Sequence, residues 1–390
     1  MGIGGLQITT DIRVLAGEGS IDRIGALARE LGFSRTLLVA DAGLVRAGHL
    51  EHARASLETA GVRTFEFSQF GPNPDADMLE DGRRHAAGTR IDSIVGLGGG
   101  SSLDCAKGIN FLLTQGGVIH DFQGYGKAAK PMLPMIGVPT TAGTGSEAQS
   151  YAIISDPRTH QKMACGDPKA AFRAVILDPC LTLTQPASVT AAAGYDAIAH
   201  AVESFVSTKR TARSQELSRE AWRLLDANYA RVLAAPEDLD ARAAMQLGAF
   251  YAGTAIELSM LGATHACANP VTARYGTTHG HAIAMLLPHV VRWNATAAEA
   301  MYGELLHSSS SALIAPIAPV APTAPSSASL AARLAALAVV GNLPTTLREA
   351  GVSADDLVVL ADEASEQWTG RFNPRPFDAR GALEIYQCAL

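Results

Sequence analysis

Short apolar runs, each closed by Gly, Pro or Asp, recur through the first half of the chain: TLLVAD, TFEFSQF, SIVGLGGG, MIGVPTT, YAIISDP and AVILDP. Longer segments with helical spacing, such as LVRAGHLEHARASLETAG and DADMLEDGRRHAAGT, lie between them. A strand whose neighbouring positions are all apolar is buried on both faces of its pleat, and strands alternating with helices predict a parallel sheet covered on each side. After DPCLTLTQP the strand pattern stops. From about residue 187 the segments are rich in Ala, Leu, Glu and Arg and read as helices. The expected fold class is α/β, with an N-terminal parallel-sheet domain over residues 1–185 and a C-terminal all-helical domain over 186–390. One tract fits neither: SSSSALIAPIAPVAPTAPSSAS, residues 308–329, has Pro at a spacing of three, cannot continue a helix, and reads as a surface loop or insertion.

Composition narrows the class. At 390 residues and 47% hydrophobic the chain can bury a large core. A formal charge of -7 with no Lys/Arg block argues against nucleic acid as a partner. No apolar run is long enough to span a membrane, and the first residues, MGIGGLQITTDIRV, lack the basic flank and apolar stretch of a secretion signal. The five cysteines are scattered, with no CxxC pair, so neither a disulfide framework nor a thiolate metal site is indicated. A cytoplasmic location is expected.

Three polar loops follow predicted strands. GLGGGSSLDCAK, residues 96–107, opens a helix with glycines that let backbone N–H groups approach an anion, and a diphosphate fits there. Its spacing is neither GxGxxG nor a P-loop. Asp41, in LLVADAG, can accept hydrogen bonds from a ribose diol and would repel a 2'-phosphate, favouring NAD over NADP; it can equally cap the next helix. VPTTAGTGSE carries Thr140, Thr141, Thr144 and Ser146, small hydroxyls able to hold ribose and nicotinamide. Such loops describe the ligand crevice of an open sheet.

In GYDAIAHAVES, Asp196 and His200 stand at i and i+4, one turn apart on a helix face. GATHACANPVTARYGTTHGHAIAMLLPH holds His265, His279, His281 and His289. Three imidazoles and a carboxylate suit a borderline divalent ion, Fe or Zn, with a position open for substrate; a buried Asp–His hydrogen bond is a comparable explanation of the first pair.

Taken together, the motifs resemble those of the iron-containing (group III) alcohol dehydrogenase family over nearly the whole chain. GGGSSLDCAK, PTTAGTGSE, GYDAIAHAVES, THACANPVTARYGTTHG and FNPRP occur in the family's order, with its interval between His265 and His279. The resemblance implies metal ligation by Asp196, His200, His265 and His279, with Fe(II) ahead of Zn(II). It implies cofactor contacts from Asp41, Gly98, Gly99, Gly100, Ser101, Asp104, Thr140, Thr141 and Thr144, with Lys162 near the nicotinamide. It further implies reversible hydride transfer between a primary alcohol and NAD, and a homodimer formed through the strand in DIRVLAG, residues 11–17.

Several positions depart from the family pattern. Asn269 stands where many members carry a further histidine, and an amide cannot relay a proton by titrating. His281 could substitute, or water and the ribose hydroxyl could suffice. Tyr151 replaces a pocket Asn of some members, and AIELSML, before His265, lacks their aromatic and Asn. The substrate therefore cannot be copied from a relative. An acid-bearing aldehyde, carboxylate or phosphonate, requires Arg371 and Arg375 to face the cleft. A polyol dehydrogenase of the glycerol type and a lyase like dehydroquinate synthase are the remaining alternatives.

Overall fold

The computed structural model describes residues 12–158, 162–309 and 326–390. Nine strands lie in the described part of the first half: β1 (Arg13–Ala16), β2 (Arg35–Ala40), β3 (Arg63–Phe67), β4 (Ser93–Gly98), β5 (Gly124–Tyr125), β6 (Met135–Pro139), β7 (Tyr151–Ser155), β8 (Lys162–Gly166) and β9 (Ala174–Leu177). Interleaved with them are α1 (Ile24–Glu30), α2 (Ala42–Arg46), α3 (His49–Thr59), α4 (Ala76–Ala86) and α5 (Gly100–Gln115).

Six strands form one parallel sheet in the order β1-β9-β6-β4-β2-β3. The continuous apolar runs have the expected cause. Leu37, Val39, Ile94 and Val175 pack with α4 and α5 on one face, while Leu38, Ala40, Val95 and Val138 pack with α1 and α3 on the other. The order of strand addition reverses between β2 and β4, since β3 lies outside β2 while the later strands build outward from β4. A crevice at the carboxyl ends of such strands is the ligand position of an open sheet. Asp41 ends β2, Gly98 to Ser101 lead from β4 into α5, and Thr140 follows β6.

A second sheet, β5-β8-β7, was not part of the expected pattern. Its two longer strands are antiparallel, with Ile153 opposite Ala164 and Ser155 opposite Lys162. Alternation assigns its faces: Ala152, Ile154, Met163 and Cys165 join the core, and Tyr151, Ile153, Lys162 and Ala164 line a cleft.

From Ala187 onward the elements are helices: α6 (Ala187–Val206), α7 (Ala212–Ala234), α8 (Leu239–Ser259), α9 (Ala263–Tyr275), α10 (His279–Trp293), α11 (Ala295–Ser309), α12 (Ser327–Val340), α13 (Leu357–Ser365) and α14 (Ala379–Ala389). Almost every residue of α6 from Thr190 to Val206 is buried, because the helix packs against α7, α8 and α10. Of the Pro/Ala/Ser tract, residues 310–325 lie outside the described part; its ends belong to α11 and α12. No described helix is long and apolar enough to cross a membrane.

Candidate active site

The buried helix α6 supplies three polar side chains to one face. Asp196, His200 and Glu203 follow each other at four and three residues, and all are at most 5% exposed. The Nε2 atom of His200 lies 3.4 Å from Asp196 Oδ1. His265, in the first turn of α9, brings its Nε2 to the same oxygen at 3.4 Å. His279, the first residue of α10, brings its Nε2 to 3.8 Å and stands at the rim, with its side chain 36% exposed. Gly280 allows this approach: a Cβ there would lie 2.3 Å from the Ala192 carbonyl of α6. The three imidazoles expected to share an ion with Asp196 thus each stand within 3.8 Å of its Oδ1, while only His265 and His279 join it in a set of ligand atoms that are all mutually close; His200 falls outside that set.

The donor set fits a divalent cation. Ligand atoms of Asp196, His265 and His279 lie within 4.8 Å of one another. Two ligands at ~2.1 Å from an ion, at a tetrahedral angle, stand ~3.4 Å apart. Asp196 Oδ1 and His265 Nε2 are buried and neither has a hydrogen-bond partner, a costly condition that a cation between them would relieve. Burial opposes ionisation of Asp196, yet the imidazoles of His200, His279 and His265 hold its carboxyl well below the usual range. Burial likewise disfavours a charged His265, but Glu203 and Asp196 outweigh it and push that imidazole up to about 9.

Glu203 is the residue that sequence reasoning missed. Its Oε2 accepts the Nδ1–H of His265, which fixes the ring and leaves Nε2 for a ligand role. Its Oε1 accepts the Thr264 N–H at 2.7 Å. Asn373 Oδ1 takes the neighbouring Ala263 N–H at 3.2 Å. An acid and an amide from distant segments therefore cap α9, which has no side-chain cap of its own. The signal was available: a buried acid seven residues after Asp196 lies on the face already suspected.

The cleft above these ligands is lined also by Gly100, Ser101, Asp104, Thr144 and Lys162 from the first half of the chain. The N-terminus of α5 carries no side-chain cap. Gly100 lets it meet the 140–146 loop, since a Cβ there would lie 2.8 Å from Thr144. Asp104 accepts the Ser146 hydroxyl and stands 3.7 Å from the buried Lys107 ammonium, so it latches that loop to α5. Lys162 Nζ donates to Asn73 Oδ1 at 2.6 Å, and burial pushes its pKa down. Asp41, Gly98, Gly99, Thr140 and Thr141 lie beyond this cavity. Asp41 caps α2, accepting the Gly43 N–H at 2.7 Å, while its second oxygen accepts the Ser102 hydroxyl at 3.3 Å.

Three residues stand apart from the expected arrangement. His281 does not line the cleft; two positions from His279 on a helix, it turns to another side. Arg375 stacks on Trp293 at 3.8 Å, donates to the Trp293 carbonyl at 2.8 Å and pairs with Glu384, so it braces α10 rather than facing a substrate. Arg371 is exposed and outside the cleft. Asn269 does line it, with its Nδ2 donating to Gln367 Oε1 at 3.0 Å.

The architecture is shared with known proteins. The profile described as iron-containing alcohol dehydrogenase matches residues 12–179, and that of the C-terminal part of the Fe-containing alcohol dehydrogenase family matches 190–390. The NAD-dependent methanol dehydrogenase of Bacillus methanolicus is 31% identical, over 96% of this chain and 97% of its own. The 1,3-propanediol dehydrogenase of Citrobacter freundii is also 31% identical, over 96% of each chain. The solved alcohol dehydrogenase from Oenococcus oeni superposes with a TM-score of 0.91 at 28% identity, covering 97% of this chain and 98% of the other. This chain belongs to the iron-containing alcohol dehydrogenase family and, with it, to the oxidoreductases.

Proposed function

We propose that the protein interconverts a primary alcohol and its aldehyde with NAD(H), using a divalent ion held by Asp196, His200, His265 and His279, with Fe(II) the resident metal and Zn(II) its competitor. The observation that carries this reading is the convergence of three imidazoles on Asp196 Oδ1, beside a cleft that Gly100, Thr144 and Lys162 also line. The ligand set accepts either metal.

When bound, the ion acts as a Lewis acid toward the substrate oxygen and the nicotinamide exchanges the hydride. The chain's own residues hold and orient. The uncapped N-terminus of α5 offers N–H groups to the diphosphate. Thr140, Thr141 and Thr144 supply hydroxyls along the cofactor path, and the Asp41 carboxylate disfavours a 2'-phosphate. Trp368 and Tyr151, stacked at 5.8 Å, wall the cleft against water. Asn269 carries no titratable proton and His281 does not line the cleft, so neither side chain would relay the substrate's proton.

An acid-bearing aldehyde loses its support because neither Arg371 nor Arg375 lines the cleft. The lyase reading needs several basic side chains, and Lys162 is the one Lys or Arg on the wall among the described residues. We place the boundary between the two domains near residue 185, the enzyme in the cytoplasm, and its dimer contact at β1, an edge strand paired only with β9 among the described residues.

The test is NADH-linked turnover of n-propanol and propanal by protein stripped of metal, then reloaded with Fe(II) or Zn(II), with NADP in parallel. The reading predicts turnover that requires metal and prefers NAD. Equal turnover by stripped protein, or none with any loading, overturns it.

A further inference from the structure

Among the described residues, those other than glycine with φ above zero are Asn73, Arg90, Met260 and Asn342. Asn tolerates the left-handed region, and Arg90 is exposed. Met260 is different. At φ 72° and ψ 174° it occupies a region of backbone space that belongs essentially to glycine. It directly follows α8 and lines the cleft together with Ile256 and Leu261.

The neighbours hold this conformation in place. The Met260 N–H donates to the Ile256 carbonyl at 2.8 Å, and the Ser207 hydroxyl donates to the Ser259 carbonyl. Past the turn, Asn373 and Glu203 accept the Ala263 and Thr264 N–H groups. The connection that delivers His265 is therefore pinned at both ends, and the chain has to turn at residue 260. Glycine would make that turn without strain. A long side chain there is a cost, and core packing does not return it: among the described residues Met260 packs with neither hydrophobic core, and nor do Ile256 and Leu261. Their common surroundings are the cleft. Strain that persists at a site, with no structural return, points to a role in that site.

The cavity, about 240 Å³, has to take the nicotinamide end of the cofactor as well as the substrate. A wall residue of this size then decides how much carbon chain fits. The remaining lining suits an uncharged chain. Ile153, Tyr151 and Trp368 are apolar or aromatic, and Glu257 has both oxygens taken by Ser150 and lies in the field of the buried Lys107 ammonium. We propose that Met260, held in the cleft by its strained turn, sets the length of the substrate, so that the enzyme takes primary alcohols and aldehydes with a short, unbranched, uncharged chain and turns longer ones away. The proposal rests on the dehydrogenase reading above and names the residue that bounds its substrates. Met260 is a specificity residue, with no part in the hydride step.

The test compares kcat/KM of the Fe(II)-loaded enzyme with NAD for n-propanol and n-hexanol. In the wild type the value should fall about tenfold or more from the shorter to the longer alcohol, the scale of a chain that a pocket cannot accommodate, a readout that needs no variant to fold. Met260→Ala and Met260→Gly both remove the long side chain, and each should raise the hexanol-to-propanol ratio about tenfold or more, with metal content per chain unchanged. The two variants separate strain from size. Met260→Gly should melt a few degrees above Met260→Ala, the reverse of the usual order, because only glycine relieves the turn. A wild type that uses n-hexanol as well as n-propanol, a ratio unmoved in both variants, or Met260→Ala melting above Met260→Gly overturns the proposal. Any of these results alongside n-propanol turnover leaves the dehydrogenase reading intact. Failure with every alcohol sinks both.

Discussion

Asp196 Oδ1 and His265 Nε2 stand 3.4 Å apart inside the protein, each buried and each without a hydrogen-bond partner. Folding places them so at a cost, because buried polar atoms are nearly always paired. A cation between them turns the cost into binding energy. His265→Ala and Asp196→Asn should therefore retain the fold but lose metal, with activity falling at least about a hundredfold. Metal content per chain, circular dichroism and NADH-linked rate, measured together, separate loss of the ion from loss of structure.

Glu203 acts one step behind the ligands. By accepting the His265 Nδ1–H and the Thr264 N–H it sets both the tautomer of the ligand and the start of its helix. Glu203→Gln should weaken metal affinity about 10–100-fold. The enzyme should still reach near-normal rates when metal is added in excess. Dialysis against graded chelator, with residual metal measured, gives the affinity; unchanged retention would argue against the positioning role.

Gly100 and Asp41 test the cofactor path independently of the metal. A methyl at Gly100 would press on Thr144 at 2.8 Å and disturb the meeting of α5 with the 140–146 loop. Gly100→Ala should raise KM for NAD by about tenfold or more, with metal content unchanged. Asp41→Ser keeps a competent cap for α2 but removes the charge. It should shift the NADP/NAD preference toward NADP by on the order of tenfold. Steady-state kinetics with both cofactors reads both effects.

How much of this could be read from residues alone depends on what periodicity encodes. The i, i+4 spacing of Asp196 and His200 and the clustering of His265 and His279 put the ligands within reach of inference, and the three imidazoles each stand within 3.8 Å of Asp196 Oδ1. The six apolar runs all became strands, and in β2, β4, β6 and β9 burial on both faces leaves an unbroken apolar signature. β5 and β8 escaped notice because the first is two residues long and the second alternates cleft and core positions that include a lysine. The orientation of Arg375 was equally out of reach. Its partner, Trp293, comes from a helix far away in sequence, and no local spacing records that contact. Glu203 was within reach, since it shares the face of Asp196, but a helix read for ligands does not announce the acid that orients one.

A pH effect on stability follows from Glu147, which is 3% exposed and whose carboxyl burial pushes up to about 7 from 4.5. The folded state then binds the proton more tightly than the unfolded state does. Its contribution is fully present below the unfolded value and is lost as pH rises toward about 7, by up to about 3 kcal/mol. Glu147→Gln removes this slope. Thermal melts should show the variant gaining on the wild type between about pH 4.5 and about pH 7, the window set by those two values. Parallel curves would refute the assignment.

The most direct test of the central claim is the metal stoichiometry of the purified chain after anaerobic loading with Fe(II), set against turnover. The account predicts one equivalent per chain, with rate proportional to occupancy and both lost in Asp196→Ala. Full turnover at zero occupancy, or an equivalent of metal retained by Asp196→Ala, would contradict it.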